Sequence, residues 1–343
     1  MNTRLALLAL AAASLAACGS DAPATATPDA AVARDAVTAP DALPPPDVAV
    51  TPDAPAPPDV AVDAPPATGP CAPRAVPSGD FERRLRAGGV ERVYQLHVPR
   101  GYDAARASMV VINLHGFLSN DLQQADWSNM NEAADARGFI AVHPRGRDTS
   151  WNAGPCCGLA QLRGDDDVGF VRAMLDALAS ELCVDPRRVF ATGFSNGAFL
   201  AHRLACELSD RIAAIAPVAG DMGLPACAPP RPVPVLQFHG DADLVVPYLG
   251  SPVLGFPSVI DSMRGWATRD GCAASVALVS DRGDTRCVAF ERCAAGSEVQ
   301  LCTVRGGGHT WPGGEVPSSG GYTGRAVPAT AYMLDFFARH PMP

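Results

Sequence analysis

Val189-Phe190-Ala191-Thr192-Gly193-Phe194-Ser195-Asn196-Gly197-Ala198-Phe199-Leu200 reads as a short apolar strand, a sharp turn and the start of a helix. Val189, Phe190 and Ala191 supply the strand. Ala198 to Glu207 is compatible with a helix, with Phe199, Leu200 and Leu204 near helical spacing. At the turn sits Gly193-x-Ser195-x-Gly197. The spacing has a mechanical reason. A serine at a strand-to-helix turn is held in strained backbone geometry, with its hydroxyl pushed out above the sheet. Glycines two residues to either side let strand and helix approach closely enough to make the turn. In a chain with 32 glycines the five-residue pattern also arises by chance. The strand before it and the helix after it set this instance apart.

The first 70 residues are expected to lie outside the fold. Arg4 gives a positive start, residues 5–10 an apolar run, and Leu15-Ala16-Ala17-Cys18 a small-residue cleavage site. This pattern reads as an export signal, and it is too short for a membrane-spanning helix. The four residues ending in Cys18 resemble the bacterial lipobox, which implies cleavage before Cys18 and lipidation of that residue. Gly19 follows it, and in lipoproteins a residue other than Asp there implies the outer membrane. The alternative is an ordinary cleaved signal and an extracellular protein. Residues 19–70 read as a linker: thirteen of these 52 positions are Pro, and most others are Ala, Asp, Thr or Val. Such a segment has no apolar face to bury. As a flexible coil it spans roughly 40 Å, and as extended polyproline up to ~160 Å. It carries eight Asp and one Arg, most of the chain's net charge of −9. Residues 71–343 are therefore only mildly acidic, and nothing in their charge suggests a nucleic-acid partner.

Those 273 residues contain no second linker and are expected to form one domain. Ten of the eleven cysteines lie in it, an even number that in an exported protein implies disulfides. There is no C-x-x-C pair to suggest zinc. Residues 285–290 and 298–304 read as two strands around a turn at Ala294-Ala295-Gly296, a pairing that puts Cys287 opposite Cys302. Cys156 and Cys157 are adjacent, and spacing alone leaves their partners, and those of Cys71 and Cys183, open.

Strands and helices then alternate. Residues 81–85 and 93–98 alternate apolar and polar, as half-exposed antiparallel strands do. Residues 109–114, 139–143, 212–218 and 233–240 are nearly continuous apolar runs, as buried parallel strands would be. Val168, Val171, Leu175, Leu178 and Leu182 recur at helical spacing and predict a helix over 165–182. Asp165, Asp166 and Asp167 stand at its start, where they can cap it; a metal site is the sharper but weaker reading. Further helices are predicted near 259–268 and over 329–339. The pattern implies an α/β fold with a mainly parallel sheet covered on both faces.

Hydrolysis by a serine also needs a base, a carboxylate to orient it, and donors for the oxyanion. Each belongs in a loop after a strand. His115-Gly116-Phe117 follows the strand ending at Leu114, and Gly116 permits a backbone turn there. His239-Gly240-Asp241-Ala242-Asp243 follows the strand ending at Phe238 and supplies two candidate acids. Gly306-Gly307-Gly308-His309-Thr310-Trp311-Pro312-Gly313 follows the strand ending near Val304. Packing explains a histidine after three glycines poorly.

Together, His-Gly-Phe at 115–117, Gly-Phe-Ser-Asn-Gly at 193–197, His-Gly-x-x-Asp-x-x-Val-Pro-Tyr ending at Tyr248, and Gly-Gly-Gly-His-Thr-Trp-Pro-Gly at 306–313 resemble the polyhydroxybutyrate depolymerase and feruloyl esterase family of α/β-hydrolases. Residues 166–170 and 217–220 resemble it as well, so the likeness runs from about residue 90 to 340. It implies an α/β-hydrolase fold, Ser195 as nucleophile, Asp243 as acid and His309 as base. It places the oxyanion donors on the backbone N–H groups of Phe117 and Asn196, and suggests disulfides Cys206–Cys227 and Cys272–Cys293. Ala198 departs from the second glycine that many members carry. The implied activity is ester hydrolysis without metal or organic cofactor. Its substrates would be feruloyl or acetyl esters of plant polysaccharide or, alternatively, polyester chains, with membrane association only through Cys18. Trp311, Trp151 and Tyr248 are candidates for a stacking platform; the other reading is that they pack the loops. A catalytically silent polysaccharide-binding surface protein is the alternative from another class.

Overall fold

The computed structural model describes residues 76–343 apart from residue 225 and residues 316–319. The signal, the linker, Cys18 and Cys71 lie outside the described residues. All the described residues belong to one compact unit.

Strands β1 (Gly79–Ala87) and β2 (Val90–Val98) form an antiparallel pair. The side chains of β1 alternate between half-buried and exposed, the burial pattern its sequence alternation predicts. Five strands follow in the parallel core: β3 (Ser108–Leu114), β4 (Ile140–Pro144), β5 (Val184–Phe194), β6 (Ala214–Val218) and β7 (Val235–Gly240). Beyond them come β8 (Val276–Arg282), β9 (Thr285–Phe290) and β10 (Val299–Val304). All ten lie in one sheet in the order β1-β2-β4-β3-β5-β6-β7-β10-β9-β8. The run from β4 to β10 is parallel and the outer pairs are antiparallel. The strand β8, not predicted from the sequence, is an edge strand whose apolar residues Val276, Leu278 and Val279 stay exposed.

The parallel strands are buried on both faces because helices cover both. Along β3, Val110, Ile112 and Leu114 enter one cluster and Val111 the other. On the first face lie α4 (Asp167–Glu181), α5 (Asn196–Glu207) and α6 (Val259–Arg269). On the second lie α2 (Met130–Arg137) and α7 (Ala329–Arg339), where Phe337 stacks on Phe190 of β5 at 4.5 Å. Two short helices complete the set, α1 (Asp121–Ser128) and α3 (Leu159–Arg163). The helices α1 and α2 lie in a stretch too polar for periodicity to reveal. Their limits are set by Asn120, whose side chain accepts from Gln123 N–H, and by Asn129 and Gly138 in the left-handed conformation.

The helix predicted over 165–182 begins two residues later. Asp166 caps it by accepting from Gly169 N–H, while Asp165 pairs with Arg147 and Arg163. Asp167 is fully buried against Arg92 at 2.6 Å. All three acids are thus taken up by the cap and by ion pairs.

Cys287 and Cys302 face each other in the β9–β10 ladder and are bonded. Cys206–Cys227 and Cys272–Cys293 are bonded as the resemblance suggests. Cys156 and Cys157 are bonded to each other, a pairing left open by the sequence. Among the described residues no helix is long and apolar enough to cross a membrane.

Candidate active site

The turn between β5 and α5 has the geometry its sequence predicts. Ser195 sits at φ 54° and ψ −121°, a conformation that L-residues avoid at a cost of about 1–3 kcal/mol. Its N–H donates to Val218 O at 2.9 Å, and its carbonyl accepts from Ala198 N–H and Phe199 N–H. The two glycines are required by contact. A Cβ on Gly197 would lie 2.3 Å from Leu114 O, and one on Gly193 would lie 2.7 Å from the Gly197 carbonyl carbon. The turn is therefore wedged against the end of β3, where His115-Gly116-Phe117 begins.

Asp243 stands in the loop after β7 and is buried. Its Oδ2 lies 2.7 Å from His309 Nδ1, and its Oδ1 accepts from Val245 N–H at 2.8 Å and Val246 N–H at 2.9 Å. Burial alone would raise the pKa of this carboxyl. The hydrogen bond from His309, the neighbouring His309 and His239 rings and the Val246 N–H together outweigh burial, and the group lies below the usual carboxylate value. Asp241, the other candidate acid, is exposed and accepts from Gly306 N–H at 2.6 Å. The glycines around this site serve close approach: a Cβ on Gly308 would lie 2.0 Å from Gly320 O, and one on Gly240 would lie 2.1 Å from Gly307 O. The His309 ring packs 4.7 Å from that of Phe194, and both line a cavity of about 440 Å³ together with Ser195.

The loop after β3 is organised by His115. Gly146 N–H donates to its Nε2 at 2.9 Å, so the ring proton resides on Nδ1, which donates to Gly116 O at 2.8 Å. The peptide joining Gly116 to Phe117 is planar and trans, so pinning its carbonyl also fixes the opposite direction of the Phe117 N–H. Asn196 is held by its side chain: Oδ1 accepts from Trp151 N–H at 2.7 Å, and Nδ2 donates to Cys156 O at 3.0 Å. Among the described residues, no protein acceptor takes the N–H of Phe117 or of Asn196.

The candidate stacking platform is corrected. Trp151 and Trp311 are 0% and 1% exposed, so neither presents a face to a ligand. The Trp151 indole N–H donates to His115 O at 2.8 Å and that of Trp311 to Thr330 Oγ1 at 3.0 Å. Both pack loops, the alternative reading. Tyr248 is half-buried, with its hydroxyl 2.9 Å from Thr303 Oγ1, and is not among the cavity residues. The aromatic wall is instead Trp127, Phe117, Phe194 and Phe256, and the bonded Cys156–Cys157 pair forms part of the lining. Trp127 lies on α1, a helix with no sequence signal of its own.

Residues 92–224 match the family model described as esterase PHB depolymerase. NocK, a proposed esterase of Nocardia uniformis subsp. tsuyamanensis, is 35% identical over 292 residues, covering 75% of this chain and 85% of NocK. The chain belongs to the esterase PHB depolymerase family. Feruloyl esterase B of Piromyces equi is 34% identical to it over 227 residues, which cover 62% of this chain and 41% of that protein. An acetyl xylan esterase from Aspergillus awamori shares the fold, with a TM-score of 0.53 at 14% identity over 76% of this chain and 99% of the other.

Buried histidines give this esterase-family chain a pH signature. Burial pushes His115 and His143 down to about 4 and His202 down to about 3. The same cause pushes Asp221 and Asp270 up to about 6. A depressed histidine contributes stability present above its unfolded pKa near 6.5 and lost as pH falls toward its folded value. A raised carboxyl works the other way, because the native state binds its proton more readily between the unfolded value near 4 and about 6. Burial raises Asp167 as well, but the three histidines are displaced further from their ordinary values than Asp221 and Asp270 are, so the folded domain is expected to lose stability between pH 6.5 and pH 4. Thermal melts at pH 7 and pH 4.5 check this. A higher Tm at pH 4.5 would contradict the placement of these rings.

Proposed function

We propose that the chain is a serine carboxylesterase in which Ser195 is the nucleophile, His309 the base and Asp243 the acid that orients it. The observation that carries this reading is the 2.7 Å contact of His309 Nδ1 with Asp243 Oδ2, at the wall of a cavity that Ser195 also lines. With Nδ1–H given to Asp243, the Nε2 lone pair of His309 is free to take the Ser195 hydroxyl proton. The serine oxygen attacks the ester carbonyl, and the Phe117 and Asn196 N–H groups receive the oxyanion. His309 returns its proton to the departing alcohol, leaving an acyl-serine. Water, deprotonated by the same ring, hydrolyses that ester and restores Ser195.

The preferred substrates are aromatic or acetyl esters of plant polysaccharide. The aromatic wall of the cavity supports this, as does similarity to a protein named feruloyl esterase B. A second reading, cleavage of polyester chains, is favoured by exposed apolar residues at the site. Leu118, Val245 and Leu254 are exposed in the cavity lining, and an adjoining groove runs past Leu159 and Leu162. Turnover of p-nitrophenyl acetate separates either reading from a silent polysaccharide-binding protein. A panel of methyl ferulate, acetylated xylan and hydroxybutyrate oligomers then ranks the two. The highest kcat/KM on methyl ferulate or acetylated xylan supports the first, and on the oligomers the second.

We also propose that residues 1–70 export and tether the domain, through Cys18 and the linker, without serving the site. The argument is one of placement: the residues assigned a chemical role lie between Phe117 and His309, and the linker has no apolar periodicity. The disulfides fit an oxidising compartment. Residues 71–343 alone are expected to match the intact lipoprotein in turnover of a small soluble ester, counted by active-site titration. A loss of tenfold or more in the shorter form would mean that the linker contributes to the site.

A further inference from the structure

Behind the Asp243–His309 pair runs a buried polar chain that the mechanism above leaves unused. Gln237 and His239 stand two apart on β7 and share one face; Asp221 follows β6. All three are at most 1% exposed. Gln237 Nε2 lies 3.1 Å from Asp221 Oδ1 and 3.2 Å from His239 Nδ1. An amide nitrogen carries two hydrogens and accepts none, so it donates to both, and His239 Nδ1 must be the acceptor. The ring proton therefore sits on Nε2, 2.8 Å from Val246 O and 3.5 Å from Asp243 Oδ2.

Val246 is thus gripped from two sides. Its carbonyl accepts from His239, and its N–H donates to Asp243 Oδ1 beside that of Val245. The His239 ring is itself braced edge-on by Tyr248 at 5.9 Å. With Oδ1 occupied by two backbone donors, only Oδ2 is left to meet His309.

We propose that His239 is a positioning residue for the catalytic acid. Its Nε2–H, fixed in that tautomer by Gln237 and Asp221, holds the Val246 carbonyl and so locks the Asp243 carboxylate in the rotation that presents Oδ2 to His309. The inference rests on the reading of Asp243 as the acid. Such a lock matters because a misplacement of about 1 Å can cost roughly 10²-fold in rate.

The test compares His239→Leu, which keeps bulk and removes the donor, with His239→Gln, whose amide places an N–H near the ring's ε position. Asp243→Asn is run in parallel. Steady-state kinetics on p-nitrophenyl acetate are joined by proton NMR of the downfield His309–Asp243 resonance. His239→Leu is expected to lose about 10²-fold in kcat with KM within about threefold, and to shift or broaden that resonance. His239→Gln should recover at least tenfold of the loss. A folded His239→Leu enzyme with kcat within threefold of wild type, or a Gln variant no better than Leu, overturns the proposal. Should His239→Leu not fold, ¹⁵N spectra of the wild-type imidazoles decide: a neutral His239 protonated on Nε2 supports it, and any other state overturns it. A wild-type rate in Asp243→Asn would instead remove the acid assignment itself.

Discussion

Ser195→Ala and His309→Ala are each expected to lower kcat on a small soluble ester by on the order of 10⁶, and the double variant by no more than about tenfold beyond either. The reason is that the two side chains act as one unit. The serine oxygen is a poor nucleophile until the ring takes its proton, and the ring has nothing to do once the oxygen is gone. The strained turn at φ 54° holds Ser195 at the cavity regardless of His309, so removing the imidazole should leave binding intact. KM is therefore expected to change far less than kcat. Steady-state kinetics of the three proteins, each checked for a wild-type melt, test this. A double variant far slower than either single one would mean that the residues act in separate steps.

Asp243→Asn is expected to lower kcat by about 10⁴, and Asp241→Asn to cost no more than about tenfold. The two acids are two residues apart but occupy different surroundings. Asp243 is buried and accepts from two backbone N–H groups and from His309, while Asp241 is exposed and its carboxylate accepts from the Gly306 N–H. An asparagine at 243 would offer its NH₂ to His309 Nδ1 and so favour the tautomer with the proton on Nε2, where it cannot accept from Ser195. The larger loss at position 241 would reverse the assignment.

What could be read from the sequence follows what local chemistry dictates. The elbow at Ser195 was legible because its two glycines are forced by contact with the end of β3 and, at Gly193, with the first turn of α5. The parallel strands were legible because helices on both faces demand continuous apolar runs. The hairpin from Thr285 to Val304 was legible because its register brings two cysteines opposite each other. Helices α1 and α2 were hidden: they are largely polar, and their ends are set by one side-chain cap at Asn120 and by left-handed residues at Asn129 and Gly138. The lining of the cavity was hidden for another reason. Trp127, the Cys156–Cys157 pair, and Val245 with Leu254 come from three separate stretches, and only the folded chain brings them together. Trp311 sits inside the 306–313 motif and Trp151 in the loop after β4, and both have the chemistry of binding residues, yet their indole N–H groups serve buried contacts. His115 and His239 were visible as motif letters, but their bonds to Gly116 O and Val246 O were not.

The central claim is that Ser195 is the nucleophile. The most direct measurement is the site and stoichiometry of covalent modification by a fluorophosphonate, read by mass spectrometry of peptides from the inhibited protein. One adduct per chain is expected, on Ser195, appearing in step with loss of esterase activity and absent from His309→Ala on the same timescale. Full inhibition with the adduct on another residue, or esterase activity that persists once Ser195 is fully modified, would contradict it.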